Sequence, residues 1–409
     1  MKKILIVSQY FWPESFRIND VARTLLEKGV EVEVLTGKPN YPQGKIFPGY
    51  KAWGCQRETY QGLNINRLPL LARGRGGVRL ALNYVSFIVS GLIFAPWMLR
   101  NKKYDVIFVY APSPILQAIP AIFLGWLKAC PVALWVQDLW PESLLATGYV
   151  QNRVVLKLVE RVVRLIYKHT DLLLVQSKAF LAPVAALAKG QPIVYYPNSV
   201  EAAFYDFPAV SLPDIPSLAG KFPVLFAGNV GVGQAVDVIV EAAELLRAYP
   251  DISFVVLGQG SRWTWLQEQV QTRNLSNLHL AGSYPVETMP GLMRQAAALL
   301  VTLADQPIFA ATIPNKIQAY MAVGKPILAC LNGEGARIVS AANAGLAIPA
   351  ENAAALAEGV LHLYRMSAEE REKIGQNGRE YFREHFDHER LVNQLIDHLH
   401  ELTLSFKEK

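Results

Sequence analysis

The sequence predicts an α/β protein built from two doubly wound domains. Short β-branched runs of about six residues alternate with amphipathic runs of ten to twenty. The alternation breaks in a proline-rich stretch at 205–222 and then restarts. The 409 residues are 52% hydrophobic, enough to fill two cores.

In chain order, the runs at 3–7, 31–35, 105–110, 131–136, 172–175 and 192–196 are apolar at nearly every position. Strands covered on both faces of a parallel sheet have that composition. Helical periodicity over 19–28, 115–128, 150–169 and 178–188 supplies the crossovers. Residues 1–204 form the predicted N-terminal domain and 205–222 a linker. In the second domain, 223–385, strands are expected at 224–229, 253–258, 278–283, 298–303 and 326–331. A helix over 234–248 carries Val236, Ile239, Val240, Ala243 and Leu246 at core spacing. The charged, helical tail ends in a segment, 386–409, expected to pack back on the N-terminal domain.

Composition removes several classes. The apolar content excludes a disordered chain. Three scattered cysteines, Cys55, Cys130 and Cys330, form neither a disulfide framework nor a C-x-x-C pair, and read as small buried hydrophobes. The seven His lie mostly in the helical tail, where solvated faces are expected, so no metal site is expected. Net charge is +6, but residues 1–205 hold 24 basic and 12 acidic side chains against 16 and 22 in the remainder. A basic half favours an anionic partner. The N-terminal apolar run, Ile4 to Val7, is too short for a secretory signal, so a cytoplasmic protein is expected.

From Thr59 to Tyr104 there is no acidic residue, while Arg67, Arg73, Arg75, Arg79, Arg100, Lys102 and Lys103 are basic. The twenty residues 80–99 between two of them are uncharged. Three readings stay open: core helices, a bilayer span, or a basic apolar stretch over 67–103 lying in an anionic membrane interface.

Four motifs carry chemistry. Gly228-Asn229-Val230-Gly231-Val232-Gly233-Gln234 follows a strand and precedes a helix, where backbone N–H groups can approach a phosphate. Gly258-Gln259-Gly260 sits at the carboxyl end of another strand, the ligand edge of such sheets. In Ile313-Pro314-Asn315-Lys316-Ile317-Gln318, proline starts a helix and Lys316 falls in its first turn. A cation there opposes the helix dipole unless an anion binds. Finally, Gln137-Asp138-Leu139-Trp140-Pro141-Glu142 places a carboxylate at a strand end, able to orient or deprotonate a hydroxyl. Tyr10-Phe11-Trp12-Pro13-Glu14 repeats that pattern after the first strand, on the same sheet edge.

In order along 1–385, the segments YFWPE, VLTGKPNYPQGKIFPGY, VQDLWPES, YPNSV, FAGNVGVGQ, VVLGQG, GSYPVETMPGLM, IPNKIQAYMAVGKPIL and GEGARIV resemble family 4 retaining glycosyltransferases. The match is best to the branch of WbuB-like N-acetyl-fucosamine transferases of surface-polysaccharide assembly. The resemblance implies a GT-B fold, two Rossmann-like domains facing a central cleft. It implies transfer of a sugar such as L-FucNAc from a UDP-sugar to a polyprenyl-diphosphate-linked saccharide, in O-antigen, capsule or exopolysaccharide assembly. Retention, no metal or other cofactor, and a place at the inner face of the plasma membrane are implied too.

Carried over by motif, Gly228, Asn229 and Gly231 approach the diphosphate, while Gln234, Pro314 and Asn315 belong to the donor site, Gln234 near the place where the family's usual basic residue is replaced. Gly258, Gly260, Ser283 and Tyr284 lie near base and ribose. Lys316 neutralises the leaving group, and Asp138, with Glu14, serves the reacting sugar and acceptor. The family's paired glutamates fall at Ala311 and Ala319, neither acidic, with Gln318 or Asp305 as substitutes. Competing readings are a UDP-sugar 2-epimerase of the same fold, a non-catalytic nucleotide-sugar binding protein, and a nucleic-acid binder. The apolar basic stretch argues against the first. The last would need an Arg/Lys stripe with stacking aromatics.

Overall fold

The computed structural model describes residues 1–408 except 75, 147–151, 201–202 and 207–209. Arg75 of the basic stretch therefore lies outside the described residues. The chain divides into two compact units, unit 1 at Met1–Pro197 with His388–Lys409, and unit 2 at Asn198–Asp387.

Unit 1 holds β1 (Lys3–Val7), β2 (Glu31–Gly37), β3 (Gln56–Tyr60), β4 (Leu63–Leu68), β5 (Val106–Ala111), β6 (Val132–Val136), β7 (Leu172–Val175) and β8 (Ile193–Tyr195). They form one sheet in the order β3-β4-β2-β1-β5-β6-β7-β8. All pairings are parallel except β3 with β4. That hairpin was missed in the sequence. Its turn residues Gln61 and Gly62 have φ of 48° and 82°, and glutamine is an unusual first residue for such a turn.

The order reverses between β1 and β5, the point where open α/β sheets bind ligands. Right-handed crossovers then sort the helices. Arg17–Glu27 covers one face with the C-terminal helix His388–Lys407. Gly77–Met98, Ala118–Lys128 and Arg153–Lys168 lie side by side on the other. The C-terminal helix sends Leu391, Val392, Leu395 and Leu399 into the core between it and the sheet. His388, expected on a solvated face, is buried there, 2.9 Å from Thr24 Oγ1. Of the cysteines, Cys130 and Cys330 are buried and Cys55 is half-buried.

The uncharged stretch 80–99 belongs to a single helix, Gly77–Met98, docked on unit 1 by one stripe that includes Asn83, Phe87, Gly91 and Ala95. Asn83 accepts from Gln9 Nε2 (2.7 Å) and donates to the Leu71 carbonyl (2.6 Å). Gly91 is required by close packing, because a Cβ there would lie 2.6 Å from Pro120 Cβ. Not all the basic residues of this stretch are surface cations. Arg67 is fully buried, paired with Glu58, and donates to the carbonyls of Trp12 and Gly37.

Unit 2 holds β9 (Phe222–Ala227), β10 (Ile252–Leu257), β11 (Leu278–Gly282), β12 (Ala298–Thr302), β13 (Ile327–Cys330) and β14 (Gly345–Ile348). Its sheet is wholly parallel, in the order β11-β10-β9-β12-β13-β14. The predicted boundary at 204 and linker 205–222 are corrected here. Unit 2 begins at Asn198, and Ile215 and Leu218 are buried in its core. Prolines broke the periodicity, but Ile215 and Leu218 still found a face to cover, while Val210 and Leu212 stay exposed.

Candidate functional site

Unit 2 carries a cavity of about 410 Å³ at the carboxyl ends of β9 and β10, beside the switch between β9 and β12. Three of its walls come from turns foreseen in the sequence: Gly228 and Asn229, then Gly258 and Gln259, then Ser283 and Tyr284. The fourth is the start of the helix Asn315–Val323, with Asn315, Lys316, Ala319 and Tyr320. Phe204, Val286, Met289 and Met293 add an apolar wall the sequence reading missed. Their signal was weak, since they sit in helices of only three to seven residues, too brief to show a period.

Glycine is dictated at two turns by contact as well as by backbone angle. Gly228 has φ 138°, and a Cβ there would stand 2.6 Å from Lys316 Cε. Gly258 has φ 141°, and a Cβ would collide with the Gly228 carbonyl oxygen at 1.8 Å. The two turns thus pack backbone on backbone and leave room for the lysine. Gly260 closes on the Val230 carbonyl in the same way, supporting the cavity from outside its lining. Gly231 is buried behind Asn229.

The glycine turn does not open directly into a helix. A 3₁₀ turn, Val232–Gln234, and left-handed Ala235 (φ 46°) intervene, so the helix runs Asp237–Leu245 rather than 234–248. Its N-terminus is already served by Asp237, which pairs with Arg262. The helix end at the cavity is instead that of Asn315–Val323, where Pro314 is the N-cap and no acid stands in the first turn.

Lys316 projects into this site. Its ammonium donates to Gln234 Oε1 (2.5 Å) and lies 3.7 Å from the centre of the Phe226 ring. Among the described residues no carboxylate pairs with it. Burial alone pulls its pKa from 10.5 down to about 7. A desolvated cation, a helix N-terminus without a side-chain cap and two glycine turns make a receptor for a polyanion.

Gln318 is corrected. Its side chain is fully buried away from the cavity, and Nε2 donates to the Asn198 carbonyl (2.8 Å). Asp305 is exposed, bonded to Asn332, and outside the lining. Ala319 does line the cavity, so the position matched to a family glutamate is present without its carboxylate. Ala311 ends the short helix Pro307–Ala311 and lies outside the lining. Among the described residues no group of three or more His, Cys, Asp or Glu is placed to hold a metal ion.

In unit 1, Asp138 follows β6 at the carboxyl edge, half-buried, and burial raises its pKa to about 7. Around it, Gln137 Nε2 and Trp140 Nε1 are buried without a described hydrogen-bond partner. Glu14 is corrected from a reacting carboxylate to a clamp. It is 2% exposed. Its Oε1 accepts from the N–H groups of Asn40 and Tyr41, both at 2.7 Å, and Oε2 from that of Phe11 at 3.3 Å. It fixes the loops after β1 and β2 to each other. Burial outweighs these bonds and lifts its pKa to about 7.

Known proteins are related to this chain in sequence and in fold. Residues 15–199 match the family model described as glycosyl transferase 4-like domain, and 221–366 that described as glycosyl transferases group 1. WcaI of Escherichia coli, named for colanic acid biosynthesis and glycosyl transfer, is 26% identical over 347 residues, 79% of this chain and 81% of its own. WbjE of Pseudomonas aeruginosa, named as a glycosyltransferase, is 25% identical over 337 residues, 80% of this chain and 81% of its own. Among solved structures, sucrose-phosphate synthase of Thermosynechococcus elongatus superposes with a TM-score of 0.75 at 16% identity, over 99% of this chain and 100% of its own. HepE of Anabaena, solved in complex with UDP, does so with 0.69 at 12% identity, over 98% and 100%.

Proposed function

Because the chain belongs to the glycosyltransferases that pair a 4-like domain with a group 1 domain, and is a hexosyltransferase of GT-B fold, we propose that it takes its sugar from a UDP-sugar and that Lys316 receives the leaving diphosphate. The observation that carries this is the ammonium of Lys316, desolvated beside a helix N-terminus with no carboxylate partner among the described residues. A diphosphate supplies the missing charge. The cavity suits a nucleotide in size, and its apolar wall suits a base. The complex of HepE with UDP supports uracil as that base.

The bond from the anomeric carbon to the diphosphate breaks, and its electron pair leaves with the phosphate oxygen. Lys316 and the N–H groups around Gly228 and Asn315 neutralise that charge without a metal. The acceptor hydroxyl forms the new bond, and Asp138 takes its proton. The name of WcaI supports a place in polysaccharide assembly. The resemblance in sequence supports a polyprenyl-diphosphate-linked acceptor, an N-acetylated deoxyhexose donor, retention at the anomeric carbon and a cytoplasmic site of action at the inner membrane.

The test is transfer in EDTA from a panel of UDP- and GDP-sugars to a short-chain polyprenyl-diphosphate-GlcNAc, followed by mass. One UDP-sugar is expected to react. Lys316→Ala is expected to lose donor binding. Asp138→Asn is expected to keep donor binding and lose about a hundredfold or more in rate. Transfer that survives Lys316→Ala, or release of a free epimerised sugar, overturns the reading.

A further inference from the structure

Unit 1 is unevenly finished. Of the twenty-two large apolar side chains exposed among the described residues, thirteen lie on the three neighbouring helices Gly77–Met98, Ala118–Lys128 and Arg153–Lys168. Scattered exposure is ordinary, but concentration on one face marks a contact surface. On the first helix Val78, Leu82, Val85, Val89 and Ile93 recur at helical spacing on the side opposite the docked stripe, and Trp97 ends the row, 61% exposed. The second adds Trp126 at 77% and Leu127. The third adds Val154, Leu158 and Leu165.

Charge identifies what covers this face. Arg79, Arg100, Lys103, Arg153, Lys157 and Arg161 are exposed on or beside these helices. Their single carboxylate, Glu160, is paired with Arg164 at 2.8 Å. A second copy would press two positive faces together. An anionic bilayer presents the opposite charge over an apolar interior, and exposed tryptophans suit its interface.

We infer that these three helices form one membrane-docking face that lies in the headgroup region of an anionic leaflet, apolar rows inward and basic residues at the phosphates. The first helix, long and apolar enough to cross a bilayer by composition, does not cross one here. Crossing would strip Asn83 from Gln9 and Leu71, and Gly91 from Pro120, contacts that bind it along the unit. The inference stands on this face and does not require the transferase reading.

The test is flotation of the full chain with vesicles of phosphatidylcholine alone, and with about one-third phosphatidylglycerol. The chain is expected to float with the anionic vesicles, to lose about tenfold in partitioning when salt rises from about 0.1 to 0.5 M, and to be released by alkaline carbonate. Brominated lipid should quench tryptophan emission, and less so in a Trp97→Phe, Trp126→Phe double variant. Val89→Glu with Leu158→Glu, both at exposed positions, should lower partitioning about tenfold or more at unchanged circular dichroism.

Equal binding to neutral vesicles, or none to either, overturns the inference. Resistance to carbonate would mean a span. A concentration-dependent dimer abolished by the double Glu variant would mean a second copy. Donor turnover with a water-soluble acceptor should not change in that variant, so a failure of the transferase reading is read separately.

Discussion

Lys316 decides more than any other residue. An ordinary lysine holds its proton to pH 10.5, but in the fold this one gives it up near 7. Between those values the unfolded chain binds a proton that the folded chain does not. Its contribution to stability therefore increases as pH rises from 7 toward 10.5. Diphosphate binding works in the opposite sense, because the anion restores the charge. UDP binding at pH 8 should thus take up a proton, visible as a dependence of calorimetric enthalpy on buffer ionisation. Affinity should weaken by up to about tenfold per pH unit above 7. Lys316→Met should lower UDP affinity about tenfold or more while leaving the melting temperature equal or higher, since no buried cation remains to be desolvated. Glu14 gives the contrasting case. Glu14→Ala strands three N–H groups and should cost about 3 kcal/mol or more by chemical denaturation, with UDP affinity in the second unit unchanged.

At the scale of elements, the site is made where strands end. The turns after β9 and β10 share one backbone contact, at Gly258 against the Gly228 carbonyl. Gly258→Ala faces both a positive φ and a 1.8 Å overlap, so it should destabilise by about 3 kcal/mol or more and abolish UDP binding together. Gly228→Ala faces a positive φ too, but its Cβ meets only the flexible end of Lys316. It should displace that ammonium and weaken UDP binding about tenfold with a smaller loss of stability. Thermal melts with and without UDP separate the two outcomes.

At the scale of the molecule, the chain leaves unit 1 after Pro197 and returns to it at His388. The last helix is part of that unit's core, not an appendage. Leu391, Val392, Leu395 and Leu399 are each at most 3% exposed. At about 2 kcal/mol for each buried side chain their loss approaches the whole stability of a domain. Deleting 388–409 should unfold unit 1, seen as loss of its melting transition while the transition stabilised by UDP remains.

The alternation of apolar runs with amphipathic segments was enough to establish two doubly wound units. The motif residues Gly228, Asn229, Gly258, Ser283, Tyr284, Asn315 and Lys316 were enough to outline the cavity, because strand ends and helix starts have local signatures. What sequence could not reach depends on partners distant along the chain. Gln318 points away from the cavity because Asn198, 120 residues earlier, offers it a carbonyl. Glu14 is a clamp because the β2 loop brings two N–H groups to it. Phe204, Met289 and Met293 become a wall only when two short helices, Ala203–Asp206 and Met289–Gln295, converge. The apolar stretch 80–99 could not declare itself core, span or surface, since that turns on which side of the helix finds a neighbour. Periodicity and composition are properties of the chain alone. Burial, and with it the charge state of Lys316 and Asp138, belongs to the fold.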